Sequence, residues 1–311
     1  MPEPGDTTPD PNDIYFPGAC YQLYPVEPPC FPNGDRQCLH DDNSLQRQRT
    51  EGVLALSLAN RMHLPSSPSL SITLSDTLCG GIREHITHVW VAHPSSPTLE
   101  RTDIAKFYDP VYFLDEYESV DPLRLAARSV ANEVKAYEML QSFQGICIPR
   151  CLGLYATVIP EQDGRTIYVL LLELVAGKDL RYLCEDVERE AIVADYLCER
   201  HCEAIFTTLC RLMMDFMDLG VLQDDLAPRN VIIRPPARPG PFCSDERCPA
   251  RFEIDTDDVR AVMVDFERIR IKYPPNPDTV SLFGRLFANA DVKDYFASWF
   301  RNICAYPDYN G

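Results

Sequence analysis

Asp225 and Asn230 stand five residues apart in Leu219-Gly-Val-Leu-Gln-Asp-Asp-Leu-Ala-Pro-Arg-Asn-Val-Ile-Ile233, directly before a β-branched run. Asp265 closes a later apolar run, Arg260-Ala-Val-Met-Val-Asp-Phe-Glu267. Residues of these types in this order suit phosphoryl transfer. One carboxylate accepts or orients the proton of a nucleophile, while an amide oxygen and a second carboxylate hold Mg²⁺ on the phosphates. Taken singly, each Asp is more often a cap or turn former than a ligand. The elements that carry these side chains therefore matter as much as the side chains.

Four segments upstream have strand patterning. Ser71-Ile-Thr-Leu-Ser alternates and is punctuated by Cys79-Gly80-Gly81, and His88–His93 reads as its partner. Thr102–Asp109, ended by Pro110, is a third strand, with Ile104, Lys106 and Tyr108 on one face by period two. Thr166–Leu172 reads as a buried strand that leads into Glu173-Leu-Val-Ala-Gly177. Between the third and fourth, Leu123–Phe143 has helical spacing. Val130, Ala136, Tyr137, Leu140 and Phe143 share the face of Glu133, whereas Glu138 lies about 140° away on the polar side. A carboxylate aimed at the core calls for a buried cation, and Lys106 is the candidate partner. Further on, Cys202–Met217 carries Ile205, Leu209, Leu212 and Phe216 at helical spacing, as a core-facing helix would.

Taken together, these motifs resemble the protein-kinase-like superfamily from about Ser69 to about Arg270, and most of all its divergent fungal members, with features of aminoglycoside- and choline-type kinases. Ile104-Ala-Lys106 stands where that family has its strand lysine and Asn132-Glu133 where it has the helix glutamate. Leu172-Glu173-Leu174-Val175 resembles gatekeeper and hinge, Asp225–Asn230 the catalytic loop, and Asp265-Phe266-Glu267 the Asp-Phe-Gly element. The resemblance implies an α+β, two-lobed protein-kinase-like fold, with a small antiparallel sheet lobe and a reduced helical C-terminal lobe. It implies ATP and Mg²⁺ as cofactors. Lys106 would contact the α/β-phosphates, held by Glu133. Asp225 would be the catalytic base or hydroxyl-orienting group, with Asn230 and Asp265 as magnesium ligands. The backbone of Glu173 and Val175 would meet the adenine edge, between Ile104 and Ile232.

The chain departs from the family at several positions. Gln223 replaces the His that opens the catalytic loop, and Asp224 replaces the Arg that docks an activation-loop phosphate. Ala227 replaces a Lys, Glu267 a Gly, and only Gly80-Gly81 represents the glycine loop. After Glu267 there is no Ala-Pro-Glu element, and apolar residues from Leu282 to Phe300 suggest two short amphipathic helices. Two function classes therefore stand side by side. One is an ATP- and Mg²⁺-dependent phosphotransferase acting on a hydroxyl acceptor, a small molecule or a protein docked by other surfaces. The other is a pseudokinase, weak or inactive, that serves as a nucleotide-binding or interaction module.

Composition bounds the partners. The 311 residues are 45% apolar and 24% charged, typical of a globular protein with a real core. With 29 Lys and Arg against 47 Asp and Glu, the net charge of −18 gives no electrostatic footprint for nucleic acid or an anionic membrane. The longest apolar run, Tyr168–Leu172, is far shorter than the ~20 residues of a membrane span. The first residues show neither a basic nor an apolar leader region, so the expected location is cytoplasmic or nuclear. The thirteen cysteines are scattered, and Cys198-x3-Cys202 (with His201) and Cys243-x4-Cys248 each lack a second pair at zinc-finger spacing, so both read as core or loop thiols. The expected organisation is a Pro-rich, mostly disordered segment over 1–69, a sheet lobe over 70–175, and a helical lobe over 176–311 with a Pro-rich insertion near 235–258.

Overall fold

Every residue of β4 (Asp103–Tyr108) is buried, so this strand is covered on both faces. The computed structural model describes residues 10–30, 42–79, 87–95, 102–113, 120–186, 191–192 and 197–271. Within it, Ala105 and Phe107 of β4 pack into one apolar cluster with Tyr21, Leu23, Ile72, Leu74, Trp90, Val169 and Leu171. Ile104, Lys106 and Tyr108 take the other face, as the pleat requires. The neighbouring strands are β1 (Cys20–Pro25), β2 (Leu70–Cys79), β3 (Thr87–Pro94), β5 (Cys151–Ile159) and β6 (Arg165–Glu173). They pair in the order β1-β2-β3-β4-β6-β5, and β1 returns to β5 through Tyr24↔Ala156 and Pro25↔Tyr155.

That return corrects the expected architecture. The chain does not form the α+β, two-lobed protein-kinase-like fold with a small sheet lobe and a reduced helical lobe. It forms a closed six-stranded antiparallel barrel, accompanied among the described residues by four α-helices. The reason lies in β1. Tyr21 and Leu23 alternate with outward Gln22 and supply two large apolar side chains to the interior, 6% and 0% exposed. Pairing β1 on both sides satisfies backbone groups that an open sheet would leave at its edges. This closing strand comes from the Pro-rich first 69 residues, where composition alone suggests little regular structure. Helices α1 (Asp42–Glu51) and α2 (Val53–Ala59) come from the same stretch.

One group of polar residues is sealed beside the barrel core. Arg165 Nη2 donates to Asp109 Oδ2 at 2.5 Å, with both side chains fully buried. Tyr15 Oη donates to the same oxygen at 2.6 Å, and Gln162 Oε1 accepts from Arg165 Nε. The His88 ring stacks on Tyr15 at 4.7 Å. Burial, followed by the nearby Asp109 charge, pushes the Tyr15 phenol well above its ordinary pKa.

The described residues divide between two units, 1–135 with 150–174, and 136–149 with 175–311. Helix α3 (Pro122–Met139) has a buried side that includes Val130, Glu133, Ala136 and Tyr137. In the second unit, α4 (Glu199–Asp218) buries Ile205, Leu209, Leu212 and Phe216 at helical spacing. The short strands β7 (Lys178–Asp179), β11 (Val231–Ile233) and β12 (Ala261–Met263) form a three-stranded sheet in the order β12-β11-β7. Two further pairs are β8 (Cys184–Asp186) with β9 (Ala191–Ile192), and β10 (Val221–Gln223) with β13 (Ile269–Ile271). Gly80-Gly81 and the apolar residues from Leu282 to Phe300 lie outside the described residues. Among the described residues no helix is long and apolar enough to cross a membrane.

Gly177 illustrates how tightly β7 is brought to β11. Its φ is 155°, and a Cβ there would sit 2.4 Å from the Ile233 carbonyl oxygen and 2.8 Å from Ile232 Cγ2. The first obstacle is backbone and cannot rotate away. Gly177→Ala is expected to destabilise the protein by about 1–3 kcal/mol, the usual cost of overpacking. A lowered denaturant midpoint at unchanged slope is the check.

Candidate functional site

The first unit holds a buried ion pair. Lys106 Nζ lies 2.6 Å from Glu133 Oε2, with the two side chains 6% and 0% exposed. The pairing follows from two periodicities. Lys106 is on the outer face of β4, and Glu133 is on the buried side of α3, so one strand residue and one helix residue meet. Tyr108, two residues on and on the same strand face, also donates to Glu133 Oε2. Charge-assisted bonds from two sides hold this carboxylate. Tyr108 was not among the expected site residues, although its place in the alternation made it readable. Glu138, on the polar side, is exposed.

Ile104 shares the outer face of β4 with Lys106 and stands opposite Leu172 in register. Glu173 ends β6, where its N–H donates to the Arg150 carbonyl at 2.9 Å and its carboxylate accepts the Arg150 N–H at 3.0 Å. A cavity of about 450 Å³ also lies in this unit, lined among others by Arg47, Asn60, Tyr108, Asp121 and Arg124. Tyr108 is on its wall, but Lys106, Glu133 and Ile104 are not.

The second unit holds the loop between β10 and β11. Asn230 Nδ2 donates to the Asp225 backbone oxygen at 2.8 Å and approaches Asp225 Oδ2 at 3.4 Å. This uses the amide nitrogen and turns the amide oxygen the other way, as the hard donor that Mg²⁺ prefers. Antiparallel pairing sets Val231 against Met263, and Val264 N–H donates to the Asn230 carbonyl at 2.9 Å. Asn230 and Asp265 therefore sit at the same end of adjacent strands. Asp265 has φ 64°, a left-handed conformation uncommon for a residue with a side chain. Its fully buried neighbour Phe266 fixes the turn, with ring centroids 5.6 Å from Tyr137 and 6.1 Å from Phe216. Strain of this kind tends to collect where a side chain must point in one direction. By donor type, one carboxylate and one amide oxygen at neighbouring strand ends suit a magnesium ion.

Three contacts in this loop were not read from sequence. Gln223 Nε2 donates to the Asp265 carbonyl at 2.6 Å, so the glutamine is a strut between the two loops. Asp224 pairs with Arg270 at 2.7 Å, so its charge is answered within the unit. Arg229 Nη2 reaches both oxygens of Asp225, at 2.9 and 3.0 Å, and holds the orientation of that carboxylate. Ile232 is half-buried in the middle of β11, and Val175 is buried before β7.

No family model matches the chain, and no curated protein matches it either.

Proposed function

We propose that the protein is an ATP- and Mg²⁺-dependent phosphotransferase that moves the γ-phosphate of ATP to a hydroxyl acceptor. The buried Lys106–Glu133 pair carries this reading. A buried ion pair is poor value as a stabilising device, because desolvation offsets most of the Coulombic gain. A lysine ammonium held in one position by a carboxylate is instead a fixed cation suited to phosphate oxygens. Asn230 and Asp265 supply the magnesium ligands of this proposal, and Mg²⁺ when bound neutralises phosphate charge. Asp225, oriented by Arg229, accepts or aligns the acceptor's proton. Because fold and function are separable, the barrel does not count against the chemistry, which rests on the side chains.

The contact of Arg229 with both Asp225 oxygens favours a second reading, in which the protein binds nucleotide with weak or no turnover. Both oxygens of Asp225 are already engaged by that guanidinium, which an acceptor hydroxyl would have to displace.

Nucleotide-dependent thermal shift is the test. ATP with Mg²⁺ is expected to raise the melting temperature of the wild type. Lys106→Met is expected to lose that increment, while Glu138→Gln keeps it. The increment is compared rather than the melting temperature, since Lys106→Met also leaves Glu133 without its cation. Equal increments in the two variants would remove Lys106 from the site.

A further inference from the structure

Cys198, His201, Cys243 and Cys248 come together in the second unit, although 41 residues lie between the two inner members in sequence. One ligand-type atom from each lies within 4.8 Å of all the others. His201 Nδ1 is 3.1 Å from Cys198 Sγ and 3.5 Å from Cys248 Sγ. Tetrahedral zinc, with bonds of about 2.3 Å to sulfur and about 2.0 Å to nitrogen, sets its ligand atoms roughly 3.5–3.8 Å apart. The two His201 separations lie just below and at the lower end of that range, and the others stay under 4.8 Å.

The imidazole is prepared for such a role. His201 is fully buried, and its Nε2 lies 2.9 Å from the Ile254 carbonyl oxygen. A carbonyl only accepts, so Nε2 carries the proton and Nδ1 presents its lone pair to the three sulfurs. A backbone carbonyl behind the far ring nitrogen is the usual support of a metal-bound histidine.

A second observation comes from the chain around these cysteines. Residues 234–260, between β11 and β12, contain neither helix nor strand. Structureless connections beyond about 12–15 residues are uncommon inside a compact unit unless something organises them. The apolar side chains that this one buries are few: Phe242, Cys248, Ala250 and Ile254. Cys243 and Cys248 belong to this connection, and Cys198 and His201 to the start of α4.

We propose that Cys198, His201, Cys243 and Cys248 form a structural Zn²⁺ site that fastens the 234–260 connection to the N-terminal end of α4. Three thiolates and one imidazole in a closed set of four select zinc over harder cations and leave no position for a substrate. The spacings Cys-x2-His and Cys-x4-Cys each fit a zinc knuckle. The pairing Cys198-x3-Cys202 obscured this in the sequence. Cys202 in fact directs its thiol at the Leu197 carbonyl oxygen, 3.7 Å away, and stays outside the cluster. A clip between residues this far apart constrains a long loop, where the entropic gain from cross-linking is large.

Zinc content of the full chain, purified without added metal and measured by mass spectrometry, is the first arm of the test. Close to one zinc per chain is expected. Cys243→Ser and Cys248→Ser are expected to bring it near zero, and Cys202→Ser and Cys210→Ser to leave it unchanged. Should the first two variants fail to fold, the wild type supplies the second arm. Exchange of the metal for Co²⁺ is expected to give the intense visible bands of a tetrahedral thiolate site, and chelation to open 234–260 to a protease before any other segment. Protein that holds no zinc and gives no tetrahedral Co²⁺ spectrum would overturn the proposal. So would full zinc in Cys248→Ser, or a disulfide among the three cysteines as isolated. None of these readouts involves nucleotide, so the site stands or falls apart from the phosphotransferase reading.

Discussion

Asp225→Asn protein is expected to bind ATP and Mg²⁺ as the wild type does while losing about 10²–10⁴-fold in turnover, the range attributable to one positioned acid–base group. The contrast follows from the contacts of the loop. Asn230 is anchored chiefly on the Asp225 backbone oxygen at 2.8 Å, which the substitution leaves in place. Asp265 is held by Gln223 and by the buried Phe266, neither of which depends on the Asp225 carboxylate. The proposed magnesium ligands should therefore survive. Asp265→Asn reverses the pattern. The ion loses its anionic oxygen, so the magnesium-dependent part of nucleotide stabilisation disappears along with turnover. ATP consumption against a panel of small and peptide hydroxyl acceptors, run beside the thermal shifts, separates the two. Wild-type protein with a magnesium-dependent shift and no consumption on any acceptor would decide for the binding module. Wild-type protein with no shift at all would exclude both readings.

How far the sequence carried depended on the range of the interaction. Period two in 103–108 and period 3.6 in 122–139 are local patterns, and together they brought Lys106 to Glu133 at 2.6 Å. The order of Asp225, Asn230 and Asp265 around two short strands was readable for the same reason. Barrel closure was not. It depends on Tyr21 and Leu23 in a six-residue strand, and the prolines around that strand dominate any composition average. An open sheet and a closed barrel also share most of their strand patterning; the difference lies in one long-range pairing, Tyr24↔Ala156 with Pro25↔Tyr155. The Cys/His cluster failed to register for a similar reason. Each half has a plausible spacing, but only the folded 234–260 connection makes one set of them. Gln223 shows a third limit. As a missing histidine it looked like a loss, whereas its side chain reaches the Asp265 carbonyl and bridges the two loops.

Breaking the Arg165–Asp109 pair from one side is expected to destabilise the first unit by about 3–5 kcal/mol, a large share of the margin by which a domain is stable. Arg165→Met keeps much of the side-chain volume and removes the cation. Asp109 then faces the barrel interior with Tyr15 as a neutral donor at 2.6 Å and no positive partner. Gln162, whose amide oxygen accepts from Arg165, loses that donor as well. Asp109→Leu should cost a similar amount, since Arg165 would be left as the uncompensated charge. The double variant Arg165→Met with Asp109→Leu is expected to recover much of the loss, because replacing both buried charges removes two desolvation penalties together. His88 adds a pH signature to the same group of residues. Burial holds its pKa below the ordinary value, so the folded state keeps the ring neutral against Tyr15. The unfolded chain then binds the extra proton, and stability falls as the pH drops below about 6.5. Urea midpoints of the wild type, the two single variants and the double variant at neutral pH close the cycle. Additive losses in the double variant would show that the two side chains act independently, against the geometry of the pair.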